Sequence, residues 1–187
     1  MPSPSPINIS VATDPRPVSL ILTQAAAWME SVRPYKSLWL SEDLTAETLA
    51  DEVAQGHYYL LSDLATDKNR DPREQETVKE PAAIGTFRLT SEDSVFWRNE
   101  PGRALYLHRI ARSRQHARKA GGVSLVSEIL AFAEHQAQRA SVDWLRLDCD
   151  RTRHQLCELY EGFGFKYHSN FDLPNYTGVR YQRQVPT

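Results

Sequence analysis

Cysteine is scarce in this chain of 187 residues, which carries only Cys149 and Cys157. Their spacing matches neither a zinc knuckle nor a redox C-x-x-C pair, so no metal-stapled or disulfide-stapled scaffold is expected, and a reduced, cytoplasmic protein is the simplest reading. Net charge is nearly absent as well: 22 basic residues against 24 acidic ones leave −2. Such a chain has no overall field to draw in a polyanion, which disfavours nucleic acid or an acidic membrane face as the main partner. No apolar run approaches the roughly 20 residues of a membrane helix. The opening MPSPSP lacks the basic-then-apolar order of an export signal and reads as a flexible tail over residues 1–6. What the chain does have is 41% hydrophobic and 25% charged residues, enough for one core, so residues 7–187 are expected to form a single domain.

Periodicity divides that domain into alternating elements. INISVA (7–12) alternates as a first strand, and Leu20, Ile21, Ala25, Trp28, Met29 and Val32 recur at helical spacing after Pro15 and Pro17. Thr45 is placed to cap a second, short helix that runs to Ala54 and stops at Gly56. HYYLLSDLA reads as a strand, and residues 65–80, nearly all polar, are expected to be a mobile solvated loop. Strands AAIGTFRL and ALYLHRIAR follow, with the Pro101-Gly102 turn between them. A helix from about Val123 to Arg139, the strand VDWLRLDC, a helix from Gln155 to Phe163, and strands starting at Phe165 and Val179 complete the chain. The order β-α-α-β-β-β-α-β-α-β-β predicts an α/β fold, a mixed and mostly antiparallel sheet of about seven strands flanked by helices. No internal repeat is present.

The segment richest in chemistry is LYLHRIARSRQHARKAGGVSLVSEILAFAE, a strand, a basic glycine loop and a helix. A helix N-terminus offers unpaired N–H groups and a positive dipole end, and small residues allow a phosphate close to that backbone. Arg112, Arg114, Arg118 and Lys119 precede Gly121 and Gly122, in a chain with no net positive charge. The plainer alternative is a connection whose glycines only make a turn.

With these segments in this order, the sequence resembles the GNAT superfamily of N-acetyltransferases, most clearly over residues 81–168. YLHRIA is similar to the family's fourth strand, ARKAGG to its pyrophosphate loop (Q/R-x-x-G-x-G/A), and LCELYEGFGF to its closing signature L-Y-x-x-x-G-F. The loop departs from the pattern. Counting forward from the strand puts Ala117, Ala120 and Gly122 at its positions, starting at Arg118 gives Gly121 and Val123, and counting back from LRLDC gives Ser124 and Val126. The forward register keeps the small residues at the cradle and implies weaker coenzyme A affinity than usual.

The resemblance implies a splay between the fourth and fifth strands that receives the pantetheine arm of acetyl-CoA as a co-substrate, with no metal. Ile110, Ala111 and Arg112 would supply its backbone partners, residues 117–124 the phosphate cradle, and Tyr160 the acid that protonates the departing thiolate. Arg153 stands where many relatives carry an asparagine; with Arg151 it would bind a phosphate or an acidic substrate group, or else belong to a solvated loop. His108, placed by strand alternation on the face of Ile110, is a candidate base, with Glu92, Asp93, Asp148 and Asp150 as rivals. Phe96, Trp97, Tyr176 and Tyr181 fall in segments that line the acceptor pocket in the family, although most aromatics at such spacing are core. The acceptor is expected to be the amine of a small molecule or peptide. Dimerisation through the C-terminal strands is a further expectation of the resemblance. The eroded glycine motif and missing asparagine keep open a second reading, a catalytically silent module that binds coenzyme A or another ligand as a sensor or assembly subunit.

Overall fold

The computed structural model describes residues 7–32, 39–63, 82–98, 100–114, 125–174 and 176–186. The flexible tail, the polar loop of 65–80 and the phosphate cradle at 117–124 expected from the sequence lie outside them. Strands β1 (Ile7–Val11), β2 (Tyr58–Asp63), β3 (Ala83–Thr90), β4 (Ala104–Arg112), β5 (Trp144–Asp150), β6 (Lys166–Leu173) and β7 (Tyr176–Gln184) form one sheet in the order β1-β2-β3-β4-β5-β7-β6. All neighbours are antiparallel except β4 and β5, which are parallel. A parallel pair needs a crossover, and α3 (Leu125–Arg139) lies between these two strands in the chain.

Helices α1 (Pro15–Val32) and α2 (Ala46–Ala54) precede β2, and α4 (His154–Gly162) follows β5. The α1 helix begins earlier than its apolar stripe suggests, because Pro15 and Pro17 sit in a first turn whose N–H groups have no intrahelical acceptor. Thr45 caps α2 as expected, its Oγ1 accepting from the Thr48 N–H at 3.2 Å. Both C-terminal strands are longer than their composition suggested. In particular, β6 is an outer strand of mostly exposed and half-buried residues with little apolar pattern to mark it.

Among the described residues, two large apolar clusters and a smaller one around Trp97 and Tyr106 pack on the sheet. Ile129, Leu130, Ala133 and Ala137 of α3 pack with Phe87, Leu107, Leu145 and Leu147, whereas Val18, Ile21 and Leu22 of α1 pack with Leu49, Val53, Tyr58 and Ala111. Consecutive Tyr58 and Tyr59 of β2 contribute to different clusters, as alternation across a strand requires. Each fully buried Leu or Ile contributes about 1.5–3 kcal/mol, so the α3 stripe holds the crossover firmly on the sheet. Gly85 permits that close approach, since a Cβ there would stand 2.5 Å from Leu125 Cδ2 and 3.1 Å from the Ala111 carbonyl. Among the described residues, no helix is long and apolar enough to cross a membrane.

Candidate active site

The ladder between β4 and β5 joins Ala104–Trp144 through Leu107–Leu147 and then stops. Both strands continue, β4 to Arg112 and β5 to Asp150, each still paired on its far edge with β3 or β7. Their facing edges therefore carry backbone N–H and C=O groups without a ladder partner, the condition for accepting an added strand-like ligand. Where the strands separate, β4 also loses register against β3: Arg88 faces His108 and Thr86 faces Ala111, which leaves Arg109 and Ile110 opposite Phe87. Arg109 takes a left-handed φ of 50° and is held by the Tyr58 hydroxyl and by Glu52 4.0 Å away. A non-glycine residue held there stores about 1–3 kcal/mol of strain.

A cavity of about 740 Å³ opens at this gap. That size falls among ligand clefts. Its wall includes His108 to Arg112 of β4, Asp148 to Asp150 of β5, and Arg153, Leu156 and Tyr160 around α4. It also includes Trp28 and Met29 of α1, and Glu92 to Phe96 from the β3–β4 connection.

In its wall the His108 imidazole lies between two carboxylates. Its Nε2 is 3.2 Å from Asp93 Oδ2 and its Nδ1 is 3.4 Å from Asp148 Oδ1, all three side chains being nearly buried. Burial works against the imidazolium, but the two carboxylates outweigh it and raise the His108 pKa above its ordinary value. For Asp93, burial acts upward and is outweighed by His108 and the N–H groups of Phe96 and Val95, so its pKa is lowered. These contacts are close but poorly aligned. Asp93 Oδ2, His108 Nε2 and Asp148 Oδ1 consequently remain buried polar atoms without a well-formed hydrogen bond. The three residues bring ligand atoms within 4.8 Å of one another, a spacing that a cation would also tolerate, but each ring nitrogen is already turned to a carboxylate oxygen.

Asp93 comes from a connection, not from the sheet, and its position is built from both sides. Its Oδ1 accepts from the N–H of Val95 at 3.0 Å and of Phe96 at 2.8 Å, an aspartate turn that leaves Oδ2 for the imidazole. Arg180 of β7 donates through Nε to the Phe96 carbonyl. Arg146 of β5, fully buried, donates to the carbonyls of Glu100 at 3.3 Å and Pro101 at 2.6 Å and to the Tyr106 hydroxyl at 3.1 Å, with Trp97 stacked 4.9 Å from its guanidinium. Composition alone gives no sign of these two arginine clips, because each depends on a contact with a distant carbonyl.

Tyr160 is buried in α4 and faces the cavity. Burial first, then the nearby Cys149 and Asp148, push its phenol far above the ordinary range, so it holds its proton at any physiological pH. Arg112 keeps its Nε buried and without a hydrogen bond, and Arg114 lies 4.6 Å over the Trp28 ring. Arg153 N-caps α4 and points Nη1 to the Met29 sulfur at 3.7 Å.

Of the residues singled out in the sequence, His108, Ile110, Ala111, Arg112, Arg153 and Tyr160 all line this one cavity, as do Glu92, Asp93, Asp148, Asp150, Phe96 and Tyr176. Trp97 and Tyr181 are core residues instead, both buried, with Tyr181 donating to Glu161 Oε1 at 2.8 Å. One relation fails. Ile110 packs with Leu107 in the α3-side cluster and does not share the face of His108, because the bulge at Arg109 inserts a residue and breaks the alternation. Ala117, Arg118, Lys119, Ala120, Gly121, Gly122, Val123 and Ser124 lie outside the described residues. Nothing in the spacing of Cys149 and Cys157 joins them, yet their sulfurs are 3.9 Å apart.

No family model matches the chain, and no curated protein matches it either. Solved structures do. An acetyltransferase of the GNAT family from Listeria monocytogenes superposes with a TM-score of 0.65 at 20% identity, covering 96% of this chain and 95% of that one. The yncA structure from Salmonella typhimurium, solved with its cofactor acetyl-CoA, gives 0.63 at 11% identity over 98% and 96%. The PaiA N-acetyltransferase of Thermoplasma acidophilum in complex with coenzyme A gives 0.61 at 14% identity over 94% and 98%. The chain has the GNAT fold, with the parallel β4–β5 pair opening where that fold splays.

Proposed function

We propose that the protein is an acetyl-CoA dependent N-acetyltransferase that acetylates a primary amine directly. The observation that carries this reading is a single cavity, at the unpaired edges of β4 and β5, onto which both the Asp93–His108–Asp148 cluster and Tyr160 open. Acetyl-CoA bound there supplies an acyl group already activated as a thioester. The β4 backbone from Ile110 to Arg112 is suited to pair with the pantetheine amides and to polarise the thioester carbonyl with an N–H. Arg112, whose buried Nε lacks a hydrogen bond, and the loop of residues 117–124 are the candidates for the phosphates, with Arg153 beside the α4 N-terminus.

The amine must lose a proton before it attacks. His108, made more basic by Asp93 and Asp148, is better matched to an ammonium than an ordinary imidazole, and its two carboxylates hold the resulting imidazolium. The under-satisfied oxygens of Asp93 and Asp148 also suit the N–H groups of an arriving ammonium. Tyr160 keeps its proton until the sulfur departs and then donates it. The test is incubation with acetyl-CoA and a library of amines, following free thiol release. Turnover with an amine supports the reading, and the absence of both turnover and coenzyme A binding overturns it. Ala117 and Ala120, standing where the family's loop has a polar residue and a glycine, favour a second reading as a silent coenzyme A binding module. That reading gains support from tight binding without turnover and from a Tyr160→Phe variant that behaves as wild type.

A further inference from the structure

Both cysteines are free, and they meet across the seam between β5 and α4, with their sulfurs 3.9 Å apart. Eight positions separate them, and the Asp150 turn folds α4 back so that the two side chains face one another. Cys149 is buried and forms part of the cavity wall, next in sequence to Asp148. Cys157 is half-buried and lies three residues before Tyr160, so the two share one face of α4. A disulfide requires the sulfurs at about 2.05 Å, so closing this bond draws them together by nearly 2 Å. Whatever part of that movement side-chain rotation does not supply must come from α4 shifting against β5, and both elements carry proton-handling groups of the cavity. A misplacement of about 1 Å at a reacting group is enough to cost on the order of 100-fold in rate.

We propose that Cys149 and Cys157 are a reversible oxidation site, and that the intrachain disulfide shuts down the cavity by displacing Tyr160 and Asp148. Glutathione disulfide is the oxidant. The Cys157 thiolate attacks one glutathione sulfur, forming a mixed disulfide and releasing one glutathione. Cys149 then attacks the Cys157 sulfur and releases the second glutathione. Two protein thiols are oxidised, one small-molecule disulfide is reduced, and both thiol protons end on glutathione. Cys157, the more accessible of the two, meets the oxidant first, while Cys149, buried and with its pKa raised by burial, is shielded from bulky reagents and gives up its proton only in the second step, to the departing glutathione thiolate.

The proposal is tested on the full chain equilibrated with glutathione disulfide and then alkylated. The expected result is a mass lower by two hydrogens, no alkylation at either cysteine, and a fall on the order of 100-fold in the rate of acetyl transfer, all reversed by dithiothreitol. Cys157→Ser and, separately, Cys149→Ala abolish the mass change, and Cys157→Ser transfers acetyl groups at the same rate with or without oxidant. A stable glutathione adduct, alkylatable thiols after oxidation, or a disulfide that leaves the rate of acetyl transfer unchanged each overturns the proposal. The functional consequence rests on the acetyl-CoA reading, but disulfide formation does not. If reduced protein shows no turnover, that reading fails on its own, and the site is then judged by the mass change and by a shift of at least a few degrees in the melting temperature on oxidation.

Discussion

Asp93 Oδ2 stands 3.2 Å from Nε2 of His108, so a carboxylate from a surface connection and an imidazole from a central strand share one buried site. Asp148 stands 3.4 Å from the other ring nitrogen, and the imidazole is thus enclosed by negative charge from two elements that never pair with each other. The raised His108 pKa follows from this arrangement, and so does the pH dependence of the protein.

Activity is expected to rise with pH through a value above the ordinary histidine value of about 6.5, as His108 loses its proton and becomes able to accept one from the amine. Asp93→Asn and Asp148→Asn each remove a charge that holds the proton on the ring, so each moves this limb to lower pH. The check is kcat/KM from pH 5 to 9 for the three proteins, and a limb that does not move in either variant contradicts the base assignment.

Stability carries the same signature with a definite sign. The folded pKa of His108 lies above its unfolded value, so its charged contacts stabilise fully below about pH 6.5 and are lost as pH rises through the folded value. His108→Gln is therefore expected to lower the melting temperature more at pH 5.5 than at pH 9. Melting curves at the two pH values measure it, and an equal loss at both removes the linkage.

Tyr160→Phe deletes one hydroxyl from a buried ring that also packs edge-on against Phe165 at 6.1 Å, and the ring itself remains in place. Loss of a general acid costs about 10²- to 10⁴-fold in rate, so kcat is expected to fall by that factor while coenzyme A affinity is preserved. Steady-state kinetics beside calorimetry separates these, and an unchanged kcat identifies a packing residue only.

Gly178→Ala tests the aromatic wall. A Cβ at Gly178 would stand 2.1 Å from the Phe171 ring, which touches Phe96 and Tyr176 and lies under Arg180. Phe171 must move, at a cost of about 1–3 kcal/mol, and it pushes on the same Phe96 whose carbonyl Arg180 holds. Urea unfolding measures the first effect and the KM for the amine, expected to rise, measures the second.

Most of the element order was legible because each segment buries one face and repeats with its own period: the α3 stripe of Ile129, Leu130, Ala133 and Ala137 is an example. The insertion of β7 between β5 and β6 was not legible, since strand order is a long-range property that neither strand's composition encodes. At the site, His108, Asp93, Asp148 and Tyr160 were each recognisable as titratable residues in promising places. Their meeting was not, because it depends on the Asp93 turn, on the Arg146 and Arg180 clips, and on a left-handed arginine in β4. That last feature has no sequence signal, as the position is usually given to glycine. The thiol pair escaped for a related reason, its spacing of eight being set by a turn and not by a repeat.

If the separated edges of β4 and β5 form the slot for a thioester, hydrogen exchange of the backbone amides with and without saturating coenzyme A will show it. Amides between His108 and Arg112 are expected to exchange markedly more slowly when coenzyme A is present, while those of Ala104 to Leu107, already in the ladder, change little. Unaltered exchange along β4 in the presence of bound coenzyme A, with protection appearing elsewhere, would contradict it.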